Sequence, residues 1–264
     1  MKILFIGDIV GKPGRAAVRH LLPALKERLQ LDAVVANAEN AAGGFGLTRK
    51  VVDELMGMGV HVITTGNHVW DKREAVGFVD GDLPLIRPAN YAPSVPGRGT
   101  HRLALRDGRC LWVANLQGRI LMPPVDCPFR EIDRVLAKIQ QDERCILVDM
   151  HAEATSEKRA MGFYLNGRAS VVVGTHTHVP TADAEVLPGG TGYLTDAGMT
   201  GPYRSVIGME VADSMERILT GMPKILNVAK EDARLAGLFA ELDDATGRCL
   251  RVEQVIEKVP KQHS

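Results

Sequence analysis

Two histidines in the second half of the chain have the spacing of a metal-binding pair. His176 and His178 lie in the block Gly-Thr-His-Thr-His at residues 174–178, directly after the β-branched run at residues 170–173. Because residues two apart on an extended backbone point the same way, both imidazoles can reach one point in space. Imidazole nitrogen is a common ligand of transition metals, so this spacing indicates a metal site. Taken alone, the pair also fits two ordinary polar loop residues.

Four other apolar runs also end in residues with metal-binding side chains. These candidates carry oxygen or imidazole donors and no thiolate: Asp8, Glu39, Asn40, Asn67, His68 and His151. Each has a structural alternative, since Asp8 could cap a helix and His151 could be a hydrogen-bonded core residue. Together with His176 and His178, however, the set exceeds what one ion can use. It suits two neighbouring ions that share a carboxylate, about 3.5 to 4 Å apart in such sites.

The elements that must position these residues alternate between strand and helix. Apolar runs of strand length occur at residues 2–6, 32–36, 60–65, 145–150 and 170–173. Segments that predict helices occur at residues 15–29, 48–58, 71–80, 128–141, 156–165 and 211–219. This alternation indicates an α/β fold, in which ligands bind at the carboxyl ends of the strands. The candidate ligands occupy those ends.

Two hairpins interrupt and close this alternation. Residues 102–105 and 110–115 alternate around Asp107-Gly108, and two long strands are predicted at residues 235–242 and 249–259. The sequence contains no internal repeat, low-complexity tract or linker that would separate domains. We therefore expect a single domain over residues 1–264.

The composition limits the classes of partner. The 264 residues include 32 basic and 32 acidic side chains, which cancel, and 45% of the residues are hydrophobic. The chain can therefore bury a sizeable core, and no global field would attract nucleic acid or an anionic membrane. Stable nucleic-acid binding is not expected, and any recognition of phosphate must be local.

The cysteines and the amino terminus indicate a reducing compartment. The four cysteines, at positions 110, 127, 145 and 249, show no C-x-x-C spacing, which argues against a thiolate zinc site or a disulfide framework. The apolar run after Met1 is too short for a signal peptide, and no run approaches membrane-spanning length. We expect a cytoplasmic protein.

The motif blocks of the chain resemble those of the calcineurin-like metallophosphoesterase superfamily. Four blocks carry the match: Gly7-Asp8, Gly66-Asn67-His68, His151 after its apolar strand, and Gly174-Thr175-His176-Thr177-His178. Val10 departs from the common pattern, which usually has a histidine there, and Glu39-Asn40 replaces the usual G-D-x-x-D block. Both departures are similar to the YmdB-type bacterial branch, whose Asn-Ala-Glu-Asn block stands here at residues 37–40. The likeness extends over essentially the whole chain.

The resemblance implies a four-layer αββα sandwich, in which two mixed β-sheets lie between helices and a dinuclear metal centre lies on one rim. Glu39 would bridge the two ions. Each ion would take three further ligands: Asp8, Asn40 and His178 for one, and Asn67, His151 and His176 for the other. His68 would be the general acid.

The resemblance also implies a phosphodiesterase that acts on phosphodiesters such as 2′,3′-cyclic nucleotides. A hydroxide bridging the ions would attack phosphorus in line with the leaving oxygen, which His68 would protonate. Oxygen and nitrogen ligands without sulfur suit manganese, iron or zinc. The resemblance favours iron or manganese, and the expected partner is a small phosphoester of the nucleotide type.

Two other functions stay open. A phosphomonoesterase could use the same centre, because nothing in the ligand set separates it from a diesterase. A metal-bound regulatory scaffold with little turnover is the second alternative, although a degenerate ligand set would support it better.

Lys12, Arg15 and Arg204 are candidate phosphate contacts, with surface or helix-terminal charge as their alternative role. The oligomeric state is also open, and a homo-oligomer is compatible with the sequence.

Overall fold

The structure is a computed structural model that describes residues 1–260. Its strands are β1 (Lys2–Ile6), β2 (Ala33–Asn37), β3 (Val62–Thr64), β4 (Thr100–Ala104), β5 (Cys110–Gln117), β6 (Ile146–His151), β7 (Val171–Thr175), β8 (Glu185–Val186), β9 (Gly192–Leu194), β10 (Gly201–Pro202), β11 (Ala233–Leu242) and β12 (Cys249–Lys258). Its helices are α1 (Gly11–Leu29), α2 (Arg49–Gly57), α3 (Pro128–Leu136), α4 (Thr155–Tyr164) and α5 (Val211–Thr220), with a short 3-10 helix at Arg73–Gly77.

The first sheet is built around β11. One edge of β11 pairs antiparallel with β12, and its other edge pairs antiparallel with β1 and, further along, with β10. Strands β1, β2 and β3 continue the sheet in parallel. Because parallel strands end on the same side of a sheet, the residues that follow these three strands are neighbours.

The second sheet has the order β4, β5, β6, β7, β9, β8. Its four central strands are parallel, and β4 and β8 are antiparallel strands at the two edges. Both sheets are therefore mixed. The predicted hairpins are confirmed as the pairs β4 with β5 and β11 with β12.

Three apolar clusters show how the layers pack. Ile3 and Phe5 of β1 lie in a cluster between the two sheets, together with Val173 of β7. The alternate residues Leu4 and Ile6 lie in a second cluster with side chains of α1 and α2. A third cluster joins the second sheet to α3 and α4. Since successive residues of a strand point to opposite faces, this arrangement makes a helix, sheet, sheet, helix sandwich. The predicted four-layer αββα fold is confirmed.

Three predicted helix boundaries differ from the structure. Helix α1 begins at Gly11, four residues early, because Pro13 falls in the first turn, where a backbone N–H is not needed. The predicted helix at residues 71–80 is wrong, since only Arg73–Gly77 is helical and this segment is a 3-10 helix. Glycine at positions 77 and 81 disfavours a longer helix. Helix α3 also ends early, at Leu136.

The two sheets meet at one rim. The Asn37 side chain at the end of β2 donates to Asp149 of β6 at 3.2 Å. The backbone N–H of His176, after β7, donates to Asp8 Oδ2, after β1, at 3.1 Å. These contacts bring the carboxyl ends of both sets of parallel strands together. None of the helices in the described part of the chain has the length and apolarity needed to cross a bilayer.

Candidate metal centre

The seven predicted metal ligands and the predicted general acid, His68, all lie at this rim. The first sheet supplies Asp8 after β1, Glu39 and Asn40 after β2, and Asn67 and His68 after β3. The second sheet supplies His151 at the end of β6 and His176 and His178 after β7. The contacts described below divide seven of them into two groups, and His68 lies to one side.

The first group is centred on the Nε2 atom of His151. This nitrogen lies 2.8 Å from Asn67 Oδ1, 3.2 Å from Glu39 Oε1 and 3.2 Å from His176 Nδ1. Ligand atoms of Glu39, His151 and His176 all lie within 4.8 Å of one another, which is close enough to hold one metal ion. The group is therefore a possible metal-binding cluster.

The second group contains Asp8, Asn40 and His178. His178 Nε2 lies 3.8 Å from Asp8 Oδ1 and 3.2 Å from Asn40 Nδ2. Asn40 Nδ2 is also 3.3 Å from Glu39 Oε1. The Glu39 carboxylate thus contacts both groups.

A buried chain of hydrogen bonds orients His151. Its Nδ1 atom is 2.9 Å from Thr175 Oγ1, and the Thr175 hydroxyl donates to Asp149 Oδ1 at 2.7 Å. With Thr175 donating onward, its oxygen accepts the proton on Nδ1. Nε2 is then the nitrogen that faces Glu39. Partners of this kind behind a histidine fix its tautomer and raise its basicity as a ligand.

The other two histidines are held in the same manner. His176 Nε2 lies 3.1 Å from Glu153 Oε2, which leaves Nδ1 directed at His151. His178 Nδ1 donates to the carbonyl oxygen of Ile207 at 2.8 Å, which leaves Nε2 directed at Asp8. Each histidine thus has one ring nitrogen tied to an outer acceptor and the other turned inwards, an arrangement typical of metal ligands.

Two orphaned oxygen atoms also fit a cation. Within residues 1–260, the buried side-chain oxygens Asp8 Oδ1 and Asn40 Oδ1 lack a hydrogen-bond partner. An unpaired buried acceptor is unfavourable unless a cation satisfies it. Turning the Asn40 amide by about 180° would place its oxygen beside Glu39 and His178, since the two amide ends are interchangeable in shape.

Burial makes the charges in the centre depend on one another. Burial raises the pKa of Asp8. Burial would also raise the pKa of Glu39, but His151 outweighs it and lowers that pKa to about 2. Burial acts to lower the pKa of His151, yet Glu39 raises it to about 9. A proton on His151 and a metal cation are therefore alternative sources of the positive charge that Glu39 requires.

The block that carries His176 and His178 has a strained backbone. Their φ angles are 100° and 66°, in the left-handed region that residues other than glycine seldom adopt. Such a conformation persists only where the surroundings hold it in place. Asp8 accepts from the N–H of His176, and Asp196 Oδ2 accepts from the N–H and the hydroxyl of Thr177 at 3.3 Å and 2.7 Å.

A buried ion pair anchors Asp196. Lys158 Nζ of α4 lies 2.6 Å from Asp196 Oδ2, and both side chains are 1% exposed. Gly174 makes room for this pair, because a Cβ atom there would lie 2.7 Å from Lys158 Cδ and 1.8 Å from the Thr195 carbonyl oxygen. Gly66 has a similar role in the centre, since its Cβ would lie 2.2 Å from His151 Nε2. The glycines of both motif blocks therefore allow close packing.

His68 is not one of the three residues of the metal-binding cluster. Its backbone N–H donates to Glu39 Oε2 at 2.9 Å, while its side-chain Nδ1 lies 2.8 Å from Asp71 Oδ2. Its ring also packs edge to face on Phe45 at a centroid distance of 5.1 Å. Asp71 can hold the proton of Nδ1, which leaves Nε2 as the nitrogen available to a reacting group.

A cavity of about 450 Å³ opens over the centre. Its polar side is formed by Glu39, His68, Glu153 and His176. The segment around α5 contributes the apolar side chains Val206, Ile207, Met209, Ile218 and Leu226, next to Phe45, and it also contributes Ser214 and the cationic Arg217. The cavity can therefore hold a molecule that is charged at one end and apolar at the other.

Several residues of the site were not identified from the sequence. Glu153 and Asp71 follow His151 and His68 by two and three residues, so proximity in sequence was the available signal. Lys158 and Asp196 are distant in sequence and gave no signal of pairing. Two candidate phosphate contacts instead form ion pairs, Arg15 with Glu54 at 2.9 Å and Arg204 with Glu231 at 2.8 Å.

We expect Lys158→Met to destabilise the protein strongly, because it leaves the Asp196 carboxylate buried without its counter-charge. Removing one partner of a buried pair lowers the free energy of unfolding by about 3 to 5 kcal/mol. Urea unfolding measures the loss. The double variant Lys158→Met with Asp196→Leu should recover part of it, since neither charge is then left alone.

The exposed pair of Arg204 and Glu231, with side chains 76% and 68% exposed, provides the matched control. Arg204→Met should lower the free energy of unfolding by less than about 1 kcal/mol. If Lys158→Met lowered the free energy of unfolding no more than Arg204→Met does, the buried pair would not hold the histidine block in place.

Comparison with known proteins assigns the family. Residues 4–255 match the family model described as YmdB-like protein. The chain is 45% identical over 256 residues to the 2′,3′-cyclic-nucleotide 2′-phosphodiesterase of Bacillus subtilis, covering 97% of each chain. A crystal structure of a hypothetical protein from Thermus thermophilus has a TM-score of 0.92 at 45% identity, covering 98% of this chain and 100% of that one. A novel phosphatase from Mycoplasma pneumoniae has a TM-score of 0.91 at 35% identity, covering 98% and 93%. This chain therefore belongs to the YmdB-like family.

Proposed function

We propose that this protein is a metal-dependent hydrolase that cleaves phosphodiesters, 2′,3′-cyclic nucleotides among them. The observation that carries the proposal is the convergence of two buried carboxylates and three imidazoles at the strand ends, beside an open cavity that Glu39, His176 and His178 line. The similarity to the Bacillus subtilis 2′,3′-cyclic-nucleotide 2′-phosphodiesterase supports the choice of a diester substrate.

Seven side chains would hold two metal ions. Glu39 would be shared, because its carboxylate contacts both groups of ligands. The remaining ligands would be Asp8, Asn40 and His178 on one side, and Asn67, His151 and His176 on the other. Bound cations would neutralise phosphoryl oxygens and lower the pKa of a coordinated water. The oxygen and nitrogen donors fit iron or manganese, our expected metals, and also zinc.

His68 would act as the general acid. Asp71 accepts from Nδ1, so the imidazole is fixed with Nε2 free, and the side chain lines the cavity rather than the metal cluster. In hydrolysis of a cyclic nucleotide, the leaving group is a basic ribose oxygen that needs a proton. A histidine at the edge of the cavity can supply it without giving up a ligand position.

The apolar side of the cavity suits a nucleoside. Phe45, Ile207 and Met209 offer an aromatic ring and aliphatic surface on which a base can pack while its phosphate lies over the strand ends. A substrate without a base would leave that surface exposed to water. We therefore favour nucleotides over simple alkyl phosphates.

The direct test of this function is a substrate panel on protein reconstituted with manganese or iron. We expect the kcat/KM for a 2′,3′-cyclic nucleotide and for bis-p-nitrophenyl phosphate to exceed that for p-nitrophenyl phosphate. Chelation should abolish turnover. A clear preference for the monoester would instead assign a phosphomonoesterase, and metal-loaded protein that hydrolyses none of the three would favour the regulatory scaffold.

Metal content tests the assignment of Glu39 independently of activity. We expect elemental analysis to find close to two ions per chain in the wild type. Glu39→Gln keeps the size of the side chain but removes the shared negative charge, so both metal positions should lose metal. His178→Ala should mainly lose the metal of one position. Thermal unfolding followed by circular dichroism confirms that each variant is folded. Full occupancy in Glu39→Gln would exclude a shared role.

The leaving group tests the role of His68. His68→Ala should retain its metals and lose about 10² to 10⁴ in rate on a cyclic nucleotide, because general acid catalysis contributes that much. Bis-p-nitrophenyl phosphate releases p-nitrophenolate, which departs without a proton. The rate of His68→Ala on this substrate should therefore fall much less. Asp71→Asn should also lose more rate on the cyclic nucleotide than on bis-p-nitrophenyl phosphate, but both losses should be smaller than in His68→Ala. Equal losses on both substrates would place His68 in substrate binding instead.

A further inference from the structure

A second cavity, of about 1050 Å³, lies beside the candidate centre. It is bounded by the start of α1, by Gly43 and Phe45, and by the segment 224–230 after α5. Phe45, Arg217 and Leu226 line both this cavity and the one over the metal-binding cluster. These three side chains therefore form the boundary between the two, and we call the second cavity the side groove.

The side groove carries positive charge that no acidic group balances. Within residues 1–260, Lys12, Arg217 and Lys230 line the groove, are exposed and form no ion pair with a carboxylate within 4.0 Å. Lys224, in contrast, is paired with Glu216 at 2.7 Å. Unpaired cations in a groove attract phosphate, and interleaved aromatic and aliphatic side chains such as Phe45 provide surfaces for bases.

We propose that the side groove binds the nucleotides that precede the terminal cyclic phosphate of a short RNA strand. This inference rests on the proposed function, because the cyclic end would occupy the cavity over the centre. Water would add to phosphorus, one ester bond to the ribose would break, and the released ribose oxygen would take up a proton. The rest of the strand would pass Phe45 and Arg217 into the groove and place its phosphates near Lys12 and Lys230.

The charge distribution favours a short single strand over a long nucleic acid. The chain has a formal net charge of zero, so it lacks the broad basic surface that binds a duplex. Lys12, Arg217 and Lys230 line one groove next to one pocket. A strand of three nucleotides has two phosphates before its cyclic end, one for Lys12 and one for Lys230, whereas a mononucleotide leaves both lysines unused.

The test compares kcat/KM for adenosine 2′,3′-cyclic phosphate with that for an RNA trinucleotide ending in the same group. We expect the wild type to prefer the trinucleotide by about tenfold, since two phosphate contacts at an exposed site each add a few-fold. The double variant Lys12→Gln with Lys230→Gln should lose most of that preference. Lys138→Gln, which removes an exposed positive charge after α3 in the opposite helix layer, is the matched control and should keep it.

The outcomes separate this inference from the function on which it rests. Equal kcat/KM for both substrates in the wild type, or an unchanged preference in the double variant, would overturn the groove assignment and leave the phosphodiesterase intact. No turnover of either substrate would overturn the phosphodiesterase. In that case, fluorescence anisotropy with a labelled, uncleavable DNA trinucleotide still decides: weaker binding in the double variant than in Lys138→Gln supports the groove, and equal binding overturns it.

Discussion

Two carboxylates buried at adjacent strand ends, Asp8 and Glu39, impose the main constraint on this structure. Both residues are fully buried, and an ionised carboxylate in such surroundings needs hydrogen bonds and a nearby positive charge. The backbone N–H groups of His176 and His68 each supply one hydrogen bond, to Asp8 and Glu39 respectively. The remaining negative charge must be met by protonated imidazole, by metal or, for Asp8, whose pKa is raised by burial, by a proton on the carboxyl group itself. The demand for positive charge is thus set by the fold before any substrate is bound.

The positions of the histidines depend on interactions further from the centre. His176 and His178 adopt left-handed backbone angles, which the surrounding structure must enforce. Asp196 does so by accepting two hydrogen bonds from Thr177, and Lys158 holds Asp196 in turn. A buried ion pair contributes little net stability compared with apolar packing, so its value here lies in fixing the geometry of the ligand block. The backbone of this block therefore holds the imidazoles of His176 and His178 in place before any cation binds.

The sequence predicted the parts of the fold that depend on short-range pattern. The strands leading to Asp8 and Glu39 are mainly apolar, and the strand leading to His151 is apolar except for Asp149, since parallel strands are buried on both faces. Their shared direction explains why their end residues meet. The helix at residues 71–80 was predicted wrongly. The pattern of its charged residues is typical of a helix, but the glycines in and after the segment disfavour a long one. The four-layer arrangement came from the resemblance, because periodicity identifies strands but does not assign them to one sheet or two.

The floor and the apolar wall of the cavity come from different parts of the chain, and this separates chemistry from recognition. The floor consists of strand ends, whose places are fixed by two sheets and the core between them. The wall comes largely from α5 and its flanking segments, where Ser214 is buried but Ile218 and Leu219 are 67% and 76% exposed. A substitution on α5 can change the shape offered to a base without moving a ligand. A substitution at a strand end would disturb charges that compensate one another. Within one such fold, the substrate can therefore vary while the hydrolytic centre stays the same.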